Sequence, residues 1–284
     1  MANQNVTIYT PDSSLASPVK MLRDMFCDLV ASRELAWRLA VRDISAQYRQ
    51  TFLGILWAFI LPLANTVTWI FLNSAGIVNI SDTALPYPVY VLTGTMLWAI
   101  FMDALNAPLQ QATAAKPMLA KLNFPREALV VSGIYQTLFN AGIKIVLLIG
   151  ALIIMGISPG WNLLLFPVGV LSLVLVGTAF GLLITPVGML YTDVGRSLPL
   201  LLQFLMFVTP VVFPMPIEEG WAATLFAINP LTPVVLTARD WLTGFSPESL
   251  GAFWLVNIAA VAVLLVVWVV YRLAMPILIE RMSA

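Results

Sequence analysis

Six apolar runs follow a polar opening of about 28 residues, separated by polar or proline-rich breaks. They fall at about 53–77, 88–107, 128–155, 162–190, 198–213 and 252–273, against the roughly 20 apolar residues that cross a bilayer as helix. The fifth is short and bracketed by Pro199, Pro210 and Pro214. Proline removes a backbone donor and kinks a helix, so this run predicts a broken or re-entrant end packed inside protein rather than against lipid. Ahead of the first run, Val30, Trp37, Val41, Ile44 and Tyr48 recur on one helical stripe, with Arg38, Arg42, Asp43, Gln47 and Arg49 on the other side. That pattern predicts an amphipathic helix over 29–50, apolar face down in a membrane interface. It feeds through residues 51–57 straight into the first span. The run that it enters is too apolar for the alternative, a surface helix of a soluble domain.

The predicted organisation is therefore an irregular tail over 1–28, becoming ordered near Pro18, an interface helix over 29–50, and one six-span all-α membrane domain over 51–284. Two connections are long. Residues 108–127 have room for a short helix with basic residues. Residues 214–251 hold two apolar stretches, at about 218–228 and 231–243, too short to span and suited to short helices dipping into a leaflet. No internal repeat is visible, whereas an inverted-repeat carrier is expected to show matching halves.

Composition narrows the class. The 284 residues are 60% hydrophobic and 10% charged, which marks a polytopic membrane protein. Zero net charge gives no broad basic surface for nucleic acid. The chain has no histidine, which removes His-ligated metal sites and His-based acid–base chemistry. Its one cysteine, Cys27, has no intrachain disulfide partner. No cleavable signal peptide is visible in the polar opening. Lys20, Arg23, Arg33, Arg38, Arg42, Arg49, Lys116, Lys121, Arg126, Arg196, Arg272 and Arg281 all fall on one side of the predicted spans. The other side carries Arg239 against Asp82, Glu218, Glu219, Asp240 and Glu248. The positive-inside rule then makes both termini cytoplasmic.

Catalytic groupings are nearly absent. There is no phosphate-binding G-x-x-x-x-G-K-[ST] loop, no G-x-S-x-G elbow and no cysteine cluster, so the chain is expected to hydrolyse no nucleotide itself. Asp43 and Asp193 each stand near an arginine, which favours local ion pairs. Asp103 and Lys144 lie inside spans two and three, where charge is costly and by default functional. Their expected depths differ by two turns or more, so they are not expected to pair. Asp103 would meet water or a local partner; Lys144 would snorkel, meet a carbonyl or face a polar cavity. Asn65, Trp69 and Asn73 form an i, i+4, i+8 stripe in span one, and Gln203, Phe204, Phe207 and Val211 a comparable one in span five. Such stripes either glue helices together or line a polar path. Amides and a flat ring together suit a sugar, with hydrogen bonds to hydroxyls and an apolar pyranose face against the ring.

The string Arg42-Asp43-Ile44…Tyr48-Arg49-Gln50-Thr51…Leu53-Gly54…Leu56-Trp57…Pro62 resembles the opening of ABC-2 type permeases that export polysaccharides. Asn123-Phe124-Pro125-Arg126-Glu127, Tyr191-Thr192-Asp193-Val194, Pro210…Phe213-Pro214 and Asn229-Pro230-Leu231…Arg239-Asp240 extend the likeness, in order, over nearly the whole chain after residue 30. At the fourth-span exit the family more often has an arginine before the aspartate; here Thr192 stands there, with Arg196 the nearest substitute.

The resemblance implies a homodimer in a bacterial inner membrane, with two separate ATP-binding-cassette subunits holding ATP and magnesium and no cofactor in this chain. It also implies a coupling helix between spans two and three, placing Lys121, Asn123, Phe124, Pro125, Arg126 and Glu127 at the ATPase. External gate helices would carry Trp221 and Trp241. The substrate would be a lipid-linked glycan. Asn65, Trp69, Asn73, Gln203, Phe207 and Lys144 would line its path. Arg38, Arg42 and Arg49 would attract its pyrophosphate or bind anionic headgroups. Three other functions compete, one of them a pure scaffold, which would not need the Asn65 stripe but is not excluded by the sequence. An ABC-2 exporter of a small hydrophobic drug or lipid would have a narrow apolar channel. A membrane-embedded glycosyl or phosphoryl transferase would need clustered carboxylates, and the acidic residues are scattered.

Overall fold

A computed structural model describes residues 18–49, 52–78, 80, 83–119, 124–158, 160–215 and 220–283. The described residues form helices and no strand. In chain order they are α1 (Pro18–Ala31), α2 (Arg33–Arg49), α3 (Trp57–Ser74), α4 (Tyr87–Ala114), α5 (Lys116–Leu119), α6 (Glu127–Ile154), α7 (Phe166–Leu190), α8 (Thr192–Phe207), α9 (Trp221–Ile228), α10 (Leu231–Thr243) and α11 (Leu250–Ser283). Short 3-10 turns at Gly54–Leu56 and Gly160–Leu164 lead into α3 and α7.

The parallel pair α4 and α7 is the axle of the bundle. Gly177 and Gly181, a small-xxx-small pair, lie flat on α4. A Cβ at Gly177 would stand 2.6 Å from that of Ala104, and one at Gly181 would collide with the Leu105 carbonyl. Around this contact Met96, Leu97, Ile100, Phe101, Leu173 and Val176 form the main core. A second core at one end gathers Leu39, Leu109, Ala112, Met189, Tyr271 and Met275. Helices α3, α6 and α11 pack outside the axle with much of their apolar surface uncovered, as lipid-facing helices do.

Among the described residues, five helices are long and apolar enough to cross a membrane, within Gly54–Ser74, Tyr87–Ala114, Glu127–Ile154, Phe166–Leu190 and Leu250–Leu278. The expected fifth span, 198–213, differs. Helix α8 begins earlier, has 16 residues and ends at Phe207, giving about 24 Å against a hydrocarbon core of about 30 Å. Pro199 sits inside it, while Thr209, Pro210, Val211 and Val212 continue as buried turns. The broken end does pack inside protein.

Other boundaries move for physical reasons. The tail expected to be irregular to residue 28 is helical from Pro18. A turn at Ser32, whose Oγ donates to the Leu29 carbonyl at 2.8 Å, divides the expected single interface helix in two. Helix α2 packs on α6 through Ala36, Leu39 and Ala40, leaving Trp37 and Val41 exposed, while Val30 is exposed on α1. Gly54, at φ +51°, turns the chain between α2 and α3 in a conformation that side chains with a Cβ rarely adopt. Helix α4 runs through Pro108 to Ala114 instead of stopping near 107, and α11 continues to Ser283 instead of stopping near 273.

Candidate functional site: a ring-lined face between α3 and α8

Trp69 of α3 meets Phe207, at the end of α8, and Phe213, in the turns beyond it. Ring centroids are 6.1 and 5.6 Å away, both edge-to-face, and the two phenylalanines stand 6.3 Å apart. The rings are only partly buried, and exposed Asn65 and Gln203 lie on the same two helices. Asn73 is structural. Its Oδ1 accepts from the Ile80 backbone N–H at 3.0 Å and fixes the chain leaving α3. Thr66, off the stripe, glues α3 to α4 through Thr95 Oγ1 at 3.1 Å. Of the span-one stripe, Asn65 and Trp69 are thus available to something outside the chain.

Behind the rings is a cluster whose arginine the sequence places only in an external loop. Arg239 of α10 is 2% exposed. Its Nη2 donates to the Val211 carbonyl at 3.0 Å and its Nε to Thr93 Oγ1 at 3.3 Å, while the guanidinium carbon lies 3.8 Å over the Tyr90 ring. Tyr90 Oη sits within hydrogen-bond distance of the carbonyls of Pro210 and Phe213, at 3.2 and 3.1 Å. Asn229 Nδ2 donates to the Val208 carbonyl and to Thr209 Oγ1 at 3.0 and 2.8 Å. The signals in the sequence are one cation among acidic residues in an otherwise apolar stretch and its place in the Asn229-Pro230-Leu231…Arg239-Asp240 string.

Lys144 and Asp103 depart from the sequence expectation. They pair, Nζ to Oδ2, at 2.5 Å. The reason is the length of α4. Its extension puts Asp103 about three turns, not one, from the end of the helix. The flexible lysine stem covers the remaining difference in depth. Lys144 is 8% exposed and belongs to a polar ladder on α6 rather than to the ring cluster. On that ladder Asn140 Oδ1 accepts from Tyr48 at 3.3 Å and Gln136 donates to Asp43 at 3.1 Å, tying α2 to α6.

At the end of the bundle that holds α1, Arg272 of α11 joins Glu127 of α6 and Asp28 of α1 at 2.8 and 2.7 Å. Glu127 is 4% exposed, so it turns into the bundle rather than outward. Phe124 packs on the same core, and Pro125 and Arg126 are half-buried beside it. Lys121 and Asn123 lie outside the described residues. Lys116 Nζ donates to the Met189 carbonyl at 3.0 Å, at the negative end of α7. Arg38 pairs with Glu34 and Arg42 with Asp43, each at 2.7 Å, whereas Arg49 is exposed. Asp193 makes no ion pair among the described residues. The two tryptophans of the other loop part company. Trp221 stands exposed on α9, while Trp241 is buried edge-on to Phe253 at 5.2 Å.

These features define a multi-pass helical membrane protein whose distinctive surface lies along α3 and the broken end of α8. The chain belongs to the ABC-2 type transporter family, whose profile matches residues 34–241. It is similar to the O-antigen export system permease protein RfbA of Myxococcus xanthus, 24% identical over 219 residues, covering 76% of this chain and 82% of that protein. Two proteins of the same name from Klebsiella pneumoniae are 22% and 21% identical over 207 and 204 residues, covering 70% of this chain and 76% of each relative.

Proposed function

We propose that this chain is the permease subunit of an ABC transporter that exports a lipid-linked, O-antigen-like polysaccharide across the bacterial inner membrane. It works as a pair of identical permeases with two cassette ATPases on the cytoplasmic face, and both of its termini are cytoplasmic. Nucleotide is hydrolysed only on the partner. The sixth crossing is the short helix α8, completed by the buried turns after Phe207. The second permease covers the open faces of α3 and α8, and the glycan passes between the two copies.

One observation carries this reading beyond family membership. Trp69, Phe207 and Phe213 present partly exposed rings beside the exposed amides of Asn65 and Gln203. A moving polymer must be held weakly at many points, because one tight site would stall it. Ring and amide contacts of about 1 kcal/mol each are weak enough to exchange as sugars slide past. Lys144, closed by Asp103, is left off this path. The coupling contact is residues 121–126, anchored from inside by Phe124 and by the neighbouring Glu127. Exposed Arg49 attracts the pyrophosphate or anionic headgroups, joined by Arg38 and Arg42 when their carboxylate partners yield. Trp221 is the mobile part of the external gate and Trp241 its fixed hinge.

The test is cysteine accessibility along residues 61–73 in a Cys27→Ser background, read in the ATPase complex. Water-soluble thiol reagent is expected to label positions 65 and 69. Protection there, with labelling on the opposite face of α3, would mean that the rings are helix packing and the path lies elsewhere.

A further inference from the structure

Arg239 has no carboxylate partner among the described residues, although Asp240 is its neighbour in the chain. A buried guanidinium held only by neutral groups is costly unless its surroundings carry negative potential. Here they do. Residues 208–213 follow the C-terminal end of α8, where the helix dipole is negative. Arg239 takes the Val211 carbonyl, its plane covers Tyr90, and Tyr90 Oη reaches the carbonyls of Pro210 and Phe213. The socket is shaped for this. A Cβ at Gly94 would collide with both the Val211 carbonyl and Arg239 Nη2. Behind it α10 is fixed to the axle, where a Cβ at Gly169 would come within 2.8 Å of that of Ala238.

We infer that Arg239 is a positioning residue for transport. From the rigid seat of α10 it holds the unwound end of α8, and so sets where Phe213 stands relative to Trp69. The chain of contact is short. Arg239 bonds Val211, two residues from Phe213, and stacks on the tyrosine that reaches the Phe213 carbonyl. Release of this hold would thereby free the ring cluster. The inference deepens the proposed function, because it assigns control of the path to the external helix, but its geometry does not depend on what passes.

The experiment therefore needs no glycan. Cysteine is placed at Phe213 in a Cys27→Ser background of the purified full-length permease in detergent, and its rate of modification by a water-soluble maleimide is measured. Arg239→Gln is expected to speed labelling about tenfold, as loss of one charge-assisted hydrogen bond shifts the open population. Arg239→Lys, which keeps the charge but loses the two-point fork and the stacking, should restore part of the protection. Gly94→Ala, with the arginine intact, should give the same acceleration by filling the socket. A cysteine at buried Ala112, in the second core, should stay protected throughout, which separates local release from general unfolding. If Arg239→Gln folds poorly, Tyr90→Phe removes the hydroxyl link and keeps the ring, and should still speed labelling. Unchanged labelling at position 213 in the folded Arg239→Gln and Gly94→Ala variants would overturn the inference. Failure of the glycan reading would leave this result untouched.

Discussion

Lys144 Nζ lies 2.5 Å from Asp103 Oδ2 and joins α6 to α4 at membrane depth. The lysine is almost fully buried and the aspartate about one-third exposed, so the pair is half-shielded. Breaking such a pair leaves an uncompensated charge, whereas replacing both partners by apolar groups removes the problem. Lys144→Met is expected to lower stability by about 1–3 kcal/mol, discounted for the open side of the aspartate. The double variant Lys144→Met with Asp103→Leu should recover most of that. Thermal unfolding of the detergent-solubilised protein measures both, and additive losses would show that the two residues do not depend on each other.

The joint between Arg126 and Glu127 divides two roles that are adjacent in sequence. Glu127 is bonded inward to Arg272, while Arg126 stands before α6 at the proposed ATPase contact. Glu127→Gln should destabilise the permease by about 1–3 kcal/mol through a weakened buried bond. Arg126→Ala should uncouple ATP hydrolysis from export in a permease that still folds. Thermal stability and ATPase activity measured side by side check this. Stability loss from Arg126→Ala with coupling intact would reverse the assignment.

Hydropathy alone locates the apolar runs, the amphipathic α2, the two short helices α9 and α10, and the broken end after α8. It ends α4 at Pro108, because proline usually stops helices in water. In a packed membrane helix it is accommodated, and α4 continues to Ala114. That one boundary misjudges the depth of Asp103 and conceals its partner. Arg239, Arg272 and Glu127 are all visible as charges, but their partners lie 28 to 244 residues away in the chain, which no local pattern reports.

Asp240, next to Arg239 on α10, has its carboxyl pushed up to about 6, mainly by burial and further by Glu248, with Arg239 acting the other way. Its folded-state value exceeds the ordinary 3.8, so the folded protein holds this proton longer than the unfolded chain. Stability therefore falls as pH rises from about 4 to about 6 and is level above that. Asp240→Asn should remove this component and raise stability at neutral pH. Unfolding midpoints of both proteins across that range test it, and identical slopes would mean that Asp240 is not the group responsible.

Trp69→Ala removes the ring that meets both Phe207 and Phe213. Export of long chains should slow about fivefold, the equivalent of about 1 kcal/mol of lost ring contact, while assembly with the ATPase persists. Asn65→Trp should block export more fully by filling the path. Chain-length distribution of surface glycan is the readout, and unaltered export by a well-expressed Asn65→Trp variant would remove α3 from the path.

The central claim is that this permease moves a polysaccharide with energy from a separate cassette ATPase. The direct measurement is ATP-dependent transfer in liposomes containing the permease and its ATPase, with lipid-linked glycan on the ATPase side and a glycan-cleaving enzyme as the probe. The account predicts that glycan becomes protected from the enzyme only with ATP, permease and ATPase together, and that the permease alone hydrolyses no ATP. ATP-driven movement of a small hydrophobic compound, with glycan left fully cleavable, would contradict it.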